Sequence, residues 1–164
     1  MPPALMTQSE EAWNVPTAAD PLQFAVVQAA ADPKTAGHVR AELGSWLRTR
    51  VFADAATVDD ILLAVYEAFA NAAEYAYLDH SAPGTVDVQA RVDSAADILT
   101  VTITDRGHWR QPRSEPGDPG HRFRGRGIPL MRALASEASI STTAVGTQVS
   151  LTWRGLLGDR PLGM

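Results

Sequence analysis

Two polar residues, Glu67 and Asn71, lie four positions apart in a segment that is otherwise apolar or small. On a helix this spacing places both side chains on one face, one turn apart. A solvated helix face would carry more charged residues than positions 63–73 do. The pair suits a carboxylate acting as a base beside an amide oxygen that ligates Mg²⁺, an ion that prefers oxygen ligands. The alternative is a structural polar seam in which backbone groups satisfy Asn71.

Asp105 ends a strand-like run, residues 98–105, in which apolar side chains alternate with threonines. Side chains two apart share a strand face, so Asp105 is in phase with the apolar, core-facing members of the run. A buried carboxylate needs a donor to offset its desolvation, and the exocyclic amine of adenine is a suitable donor. Gly107, just beyond, lets a ligand approach the backbone closely. The alternative is an ordinary turn after a strand, where Asp and Gly are common.

A second polar side chain falls on a core-facing row. Thr147 follows Gly146 at the start of a predicted strand and is in phase with Val149, Leu151 and Trp153. Taken alone, this position means little, because a buried threonine commonly bonds to the backbone.

An arginine- and glycine-rich segment, Arg124-Gly125-Arg126-Gly127-Ile128, precedes a predicted helix. Glycines let the backbone approach an anion, and a helix N-terminus presents unpaired N–H groups to it. Arginine adds a fork-shaped cation that suits phosphate. Seven of the thirteen arginines of the chain lie between Arg106 and Arg132. Phosphate binding is the favoured interpretation, and a flexible solvated loop is the alternative.

Apolar periodicity and turn signals predict the elements that must position these residues. The fold class is α+β, a two-layer α/β sandwich with helices on one face of a mixed, mostly antiparallel sheet. Thr57 is the expected N-cap of the second helix, with Asp59 and Asp60 in its first turn. The predicted elements are a short edge strand at 24–27, a helix over 35–50, a helix from Thr57, strands at 85–92 and 98–105, a long loop at 106–126, a helix over 127–136, and strands at 137–143 and 147–154.

Composition limits the functional classes. The 164 residues carry a net charge of −5, which argues against direct binding of nucleic acid. Without cysteine the chain has no disulfide and no thiolate chemistry, so we expect a cytoplasmic setting. No apolar run reaches the length of a membrane span. We expect a flexible leader at 1–20, one domain at 21–155 and a flexible tail at 156–164.

Four motifs, in this order, resemble those of the histidine-kinase-like (GHKL) ATPase superfamily, and within it those of the anti-sigma regulatory factors. Glu67-x-x-x-Asn71 is similar to the N box, and Asp105-x-Gly107 to the start of the G1 box. Residues 124–128 look like the G2 box, and residues 146–147 like the last motif pair. The resemblance covers residues 25 to 154 and implies the Bergerat-type ATPase fold.

The resemblance also implies roles and partners. Glu67 would be the general base, Asn71 would hold Mg²⁺, Asp105 would accept from the adenine amine, and Thr147 would assist through water. The remaining implied ATP contacts are Gly107, Arg124, Gly125, Arg126, Gly127 and Ile128. Of these, Gly125, Arg126 and Gly127 would line the phosphates under a mobile ATP lid at 106–126. The implied partners are a sigma factor and a STAS-type anti-sigma factor antagonist that the kinase phosphorylates on serine or threonine. A homodimer is implied as well.

The chain departs from the family pattern at three positions. Trp109 replaces the second glycine of the G1 box, and Tyr75 and Ala76 stand where relatives often have histidine and glycine. Two functions remain open: an anti-sigma factor with kinase activity, and a nucleotide-responsive switch that binds partners without useful phosphotransfer. The ATPase domain of a sensor histidine kinase is less favoured, because no helical phosphoacceptor segment fits before the domain.

Overall fold

The computed structural model describes residues 22–51, 53–78, 84–107 and 127–156. The predicted leader at 1–20 and the tail beyond Leu156 lie outside these ranges, so the predicted domain limits stay predictions. The elements, in chain order, are β1 (Gln23–Ala30), α1 (Pro33–Arg50), α2 (Ala55–Asn71) followed by a π-helical turn (Ala72–Ala76), β2 (Thr85–Asp93), β3 (Ile98–Asp105), α3 (Gly127–Leu134), β4 (Glu137–Thr143) and β5 (Gly146–Arg154).

The five strands form one sheet in the order β1-β2-β3-β5-β4, so β3 is the central strand. All four neighbouring pairs of the described strands are antiparallel, and helices pack against the sheet. The predicted α+β two-layer class is confirmed, with a sheet that is antiparallel throughout these pairs rather than mixed. Among the described residues no helix is long and apolar enough to cross a membrane.

One face of the sheet and one stripe of each long helix form the core. Alternate residues of β2, β3 and β5 are buried, as expected for strands with a single buried face. The helices cover that face with residues at helical spacing: Val39, Leu43 and Leu47 on α1, and Ile61, Val65 and Phe69 on α2, all at most 2% exposed. Burial of this apolar surface is the main force that holds the helices against the strands.

Both long helices begin at an aspartate. Asp32 caps α1 by accepting from Thr35 N at 2.7 Å, and Asp54 caps α2 by accepting from Thr57 N at 2.7 Å. The predicted N-cap at Thr57 is therefore wrong, and Asp59 and Asp60 lie beyond the first turn of α2. The apolar period begins only at Val58, because the first turn contains the weakly apolar Ala55 and Ala56. The hydrogen bond from the Thr35 backbone lowers the pKa of the Asp32 carboxyl.

The edge strand β1 is interrupted by a bulge. The register with β2 shifts between Val26 and Ala29, and Gln28 has a φ of 56°. Asp87 on β2 accepts from Gln28 N at 2.7 Å, which supplies a partner for a backbone N–H within the irregular stretch. The predicted edge strand is confirmed and extends to Ala30.

Candidate functional site

Asp105 ends the central strand with only 2% of its surface exposed. In the sheet it lies between Val86 on β2 and Thr147 on β5. Its Oδ1 accepts from Gly107 N at 3.1 Å and from Thr147 N at 3.3 Å. Backbone donors from its own strand end and from the neighbouring strand therefore fix the orientation of this buried carboxylate. The placement is the one that the alternation predicted.

Two glycines allow the backbone to close around Asp105. A Cβ on Gly107 would collide with the backbone oxygen of Ala76, in the π-helical turn. A Cβ on Gly146, whose φ is 151°, would collide with the backbone oxygen of Asp105. Close approach therefore requires glycine at both positions, and the first contact joins the end of β3 to the segment that follows α2.

Replacing Gly107 with alanine is expected to lower the free energy of unfolding by about 2 kcal/mol, because the backbone at Ala76 must shift to admit the methyl group. The matched control is Gly37→Ala on α1, where a Cβ meets nothing within 4 Å. Alanine there is expected to stabilise the protein by about 0.5 kcal/mol, because it favours helix. Urea unfolding of the two variants measures the difference. Equal free energies of unfolding would contradict the close contact between Gly107 and Ala76.

Two buried polar atoms have no hydrogen-bond partner among the described residues, Asn71 Nδ2 and Thr147 Oγ1. The two residues are 8% and 1% exposed. A buried polar group left unpaired costs roughly 1–3 kcal/mol, so such atoms usually have a partner in the functional state. Thr147 is the direct neighbour of Asp105 across the ladder, so both side chains lie on the buried face of the sheet. Both atoms belong to residues that the sequence predicted to bind ligand.

Glu67 and Asn71 lie on the last two turns of α2, with Glu67 half-buried and Asn71 the final residue of the helix. The π-helical turn that follows is a local distortion often found at functional sites. Because Ala76 in that turn contacts Gly107, the C-terminal end of α2 is joined to the strand end that carries Asp105. The structure thus connects the predicted base and Mg²⁺ ligand with the predicted adenine acceptor.

Helix α3 begins at Gly127 and is anchored at its other end. Trp153 Nε1 on β5 donates to Leu134 O at 2.9 Å, and Met131 is 1% exposed in the core. Ile128 is half-buried against the same core. These contacts fix the position of the helix start, where unpaired N–H groups can face an anion. Arg124, Gly125 and Arg126 lie outside the described residues, so their phosphate contacts stay predictions.

Three residues near the site were not identified as functional from the sequence. Tyr77 donates its hydroxyl to Thr85 O and accepts from Arg106 N at 2.9 Å. Asp87 pairs with the Arg106 guanidinium, with Nη2 and Oδ2 2.8 Å apart. Gly146 was named in the sequence analysis only as part of a motif. Its position directly before a core-facing threonine could have indicated that it lies at the site.

A family model for the histidine kinase-like ATPase domain matches residues 29–153. The chain belongs to the histidine kinase-like ATPase family. The match runs from Ala29, near the end of β1, to Trp153 in β5 and includes every motif described above. Membership implies that this ATPase-family domain binds ATP.

Solved structures support the same assignment. The structure of the RsbU and RsbW domains of Rv1364c from Mycobacterium tuberculosis matches 80% of the chain with 29% identity and a TM-score of 0.62. The blue-light activated histidine kinase of Erythrobacter litoralis EL346 matches 67% of the chain with 26% identity and a TM-score of 0.50. The ATPase domain covers 32% and 34% of those two chains, about a third of each. The resemblance found in the motifs is confirmed.

Proposed function

We propose that this protein is an ATP-binding anti-sigma factor and protein serine/threonine kinase. It binds a sigma factor and phosphorylates a STAS-type anti-sigma factor antagonist. The observation that carries the proposal is the likeness to the RsbU and RsbW domain structure over 80% of the chain, at a higher TM-score than the sensor histidine kinase. The Glu67–Asn71 pair on α2, together with the buried carboxylate of Asp105, supports it chemically.

The adenine end of the nucleotide is assigned to Asp105 and Thr147. Two backbone N–H groups hold Oδ1 of Asp105, and the exocyclic amine donates to Oδ2. The Thr147 hydroxyl gains its missing partner from a ring nitrogen or from a water between ring and carboxylate. An isolated buried carboxylate would be costly, whereas one with three donors is well satisfied. Gly107 lets the strand end that carries Asp105 lie directly against the backbone of Ala76.

The phosphate end is assigned to Asn71 and to the start of α3. Asn71 fits an Mg²⁺ site, because no described acceptor holds its Nδ2, and a half-turn of the amide presents Oδ1 at the same place. A single protein oxygen is sufficient, since Mg²⁺ usually takes its other ligands from water and phosphate. When bound, the ion neutralises phosphate charge. The N–H groups at Gly127 and the side chains of Arg124 and Arg126 supply the remaining positive potential.

Glu67 is assigned as the general base. Its carboxylate accepts the proton of the antagonist's serine or threonine hydroxyl as that oxygen bonds to the γ-phosphorus. The bond from the γ-phosphorus to the bridging oxygen of the β-phosphate breaks, and ADP leaves. Phosphoryl transfer of this kind needs mainly positioning and charge stabilisation, which the elements around Asp105 and Asn71 supply.

The test is a transfer assay with ATP labelled at the γ-phosphate, Mg²⁺ and a panel of STAS-type antagonists from the same organism. We expect label on a serine or threonine of one antagonist, stable to acid, and co-purification of one sigma factor in the presence of nucleotide. Acid-labile label on histidine would support a sensor-kinase function instead. Nucleotide-dependent partner binding without transfer to any antagonist would establish the alternative, a switch without kinase activity.

A further inference from the structure

We propose that Tyr77 is a positioning residue for the adenine acceptor and acts through the backbone of Arg106. The proposal deepens the proposed function, because it rests on Asp105 as the acceptor. One hydroxyl group joins three segments here. Tyr77 follows the π-helical turn, donates to Thr85 O at the start of β2, and accepts from Arg106 N at 2.9 Å just beyond β3.

The position of the Arg106 N–H explains why this contact bears on Asp105. Arg106 lies between Asp105 and Gly107, and Gly107 N donates to Asp105 Oδ1 at 3.1 Å. A shift of the peptide at Arg106 therefore moves a donor relative to the carboxylate that it orients. The two hydrogen bonds described for the Tyr77 hydroxyl both involve backbone groups, so the proposed route from Tyr77 to the ligand is the backbone at Arg106.

The tyrosine ring is held in place by close packing. A Cβ on Gly84, the residue before β2, would collide with the ring of Tyr77, so the backbone there lies directly against the aromatic face. Gly84 O in turn accepts from Ala31 N at 3.0 Å, which ties this backbone to the segment after β1. With the ring fixed, the hydroxyl acts as a rigid spacer between β2 and the exit of β3.

A second restraint on Arg106 is weaker. Its guanidinium donates to Asp87 Oδ2 at 2.8 Å and to Thr85 Oγ1 at 3.2 Å, but 49% of the side chain is exposed. Ion pairs with that exposure contribute little because solvent and salt screen them. The hydrogen bond from Arg106 N to Tyr77 involves the backbone itself, so it restrains the peptide directly.

The test compares Tyr77→Phe with Tyr66→Phe as the matched control. Both remove one hydroxyl from a half-buried ring, and Tyr66 packs against the core on α2. In Tyr77→Phe we expect the amide exchange of Arg106 to accelerate at least roughly tenfold, because its acceptor is gone, while amides in the middle of β3 keep their rates. The Kd for ADP is expected to rise roughly fivefold, the usual effect of one lost neutral hydrogen bond.

A positioning role also predicts altered discrimination between bases. The preference for ADP over inosine diphosphate is expected to narrow in Tyr77→Phe and to stay unchanged in Tyr66→Phe, because only the first variant disturbs the acceptor. The proposal would be overturned if the amide of Arg106 exchanged at the wild-type rate in Tyr77→Phe. It would also be overturned if this variant kept the wild-type preference for ADP over inosine diphosphate while amides elsewhere exchanged normally. If the wild-type protein bound no ADP, the proposed function would fail. Amide exchange at Arg106 would still show whether the hydrogen bond to Tyr77 restrains this peptide.

Discussion

Asp105→Asn is expected to weaken ATP binding by roughly 100-fold while the fold persists. The amide oxygen can keep both backbone donors, Gly107 N and Thr147 N, which places Nδ2 where Oδ2 was. A donor then faces the adenine amine, which is also a donor. Losing a hydrogen bond to a charged acceptor costs about 3 kcal/mol at the upper end of the usual range, and this is the source of the expected factor. Calorimetric titration with ATP measures it.

The same variant is also expected to change the preference of the site for the nucleobase. Inosine triphosphate presents a carbonyl oxygen where ATP presents the amine, and Nδ2 of the new asparagine can donate to it. The preference for ATP over inosine triphosphate is therefore expected to narrow by at least about tenfold. The protonated ring nitrogen of hypoxanthine still differs from that of adenine, so full affinity is not regained. Unchanged affinity for ATP would show that Asp105 does not contact the amine.

The second large effect is expected at Glu67. Glu67→Gln keeps the size and the hydrogen-bonding ability of the side chain but removes the proton acceptor. Phosphotransfer to the antagonist is expected to fall by roughly 100- to 10,000-fold, the range for the loss of a general base. The Kd for ATP is expected to stay within about twofold, because the assigned nucleotide contacts lie on Asn71, Asp105 and α3. Single-turnover transfer and equilibrium binding separate the two quantities.

The matched control is Glu42→Gln, which makes the same change at an exposed position on α1. It is expected to transfer phosphate at the wild-type rate. If Glu67→Gln transferred phosphate at a rate within about threefold of wild type, Glu67 would not be the general base. A parallel loss of ATP binding would instead place this carboxylate in the nucleotide site itself.

The strands and the phase of the site residues could be predicted from the sequence. Residues 98–105 form β3 over the predicted range, because a strand with one buried face must alternate and the alternation is visible locally. The same reasoning placed Asp105 and Thr147 on the buried face, where they are neighbours across the ladder. Local alternation was sufficient to place each side chain on the buried face, but their meeting depends on the pairing of β3 with β5 across 42 positions, which no short turn specifies.

The contacts that complete the site could not be predicted in this way. Tyr77 bonds to Arg106, 29 positions away, and Gln28 bonds to Asp87, 59 positions away. Such pairs depend on which strands become neighbours, and no local period encodes that choice. The start of α2 was placed late for a different reason: alanines in the first turn weaken the apolar signal, while Asp54 supplies the cap.

At position 147 the stability of the fold and the binding of nucleotide favour different residues. Valine has nearly the shape of threonine and carries no polar atom, so a chain selected only to resist unfolding would favour valine at this site. The threonine hydroxyl, buried and unpaired among the described residues, weakens the unliganded protein. If Thr147 contacts adenine as proposed, nucleotide would offset that weakness only while it is bound. An empty domain is therefore the form most exposed to unfolding and proteolysis, and cellular nucleotide would govern its lifetime as well as its activity.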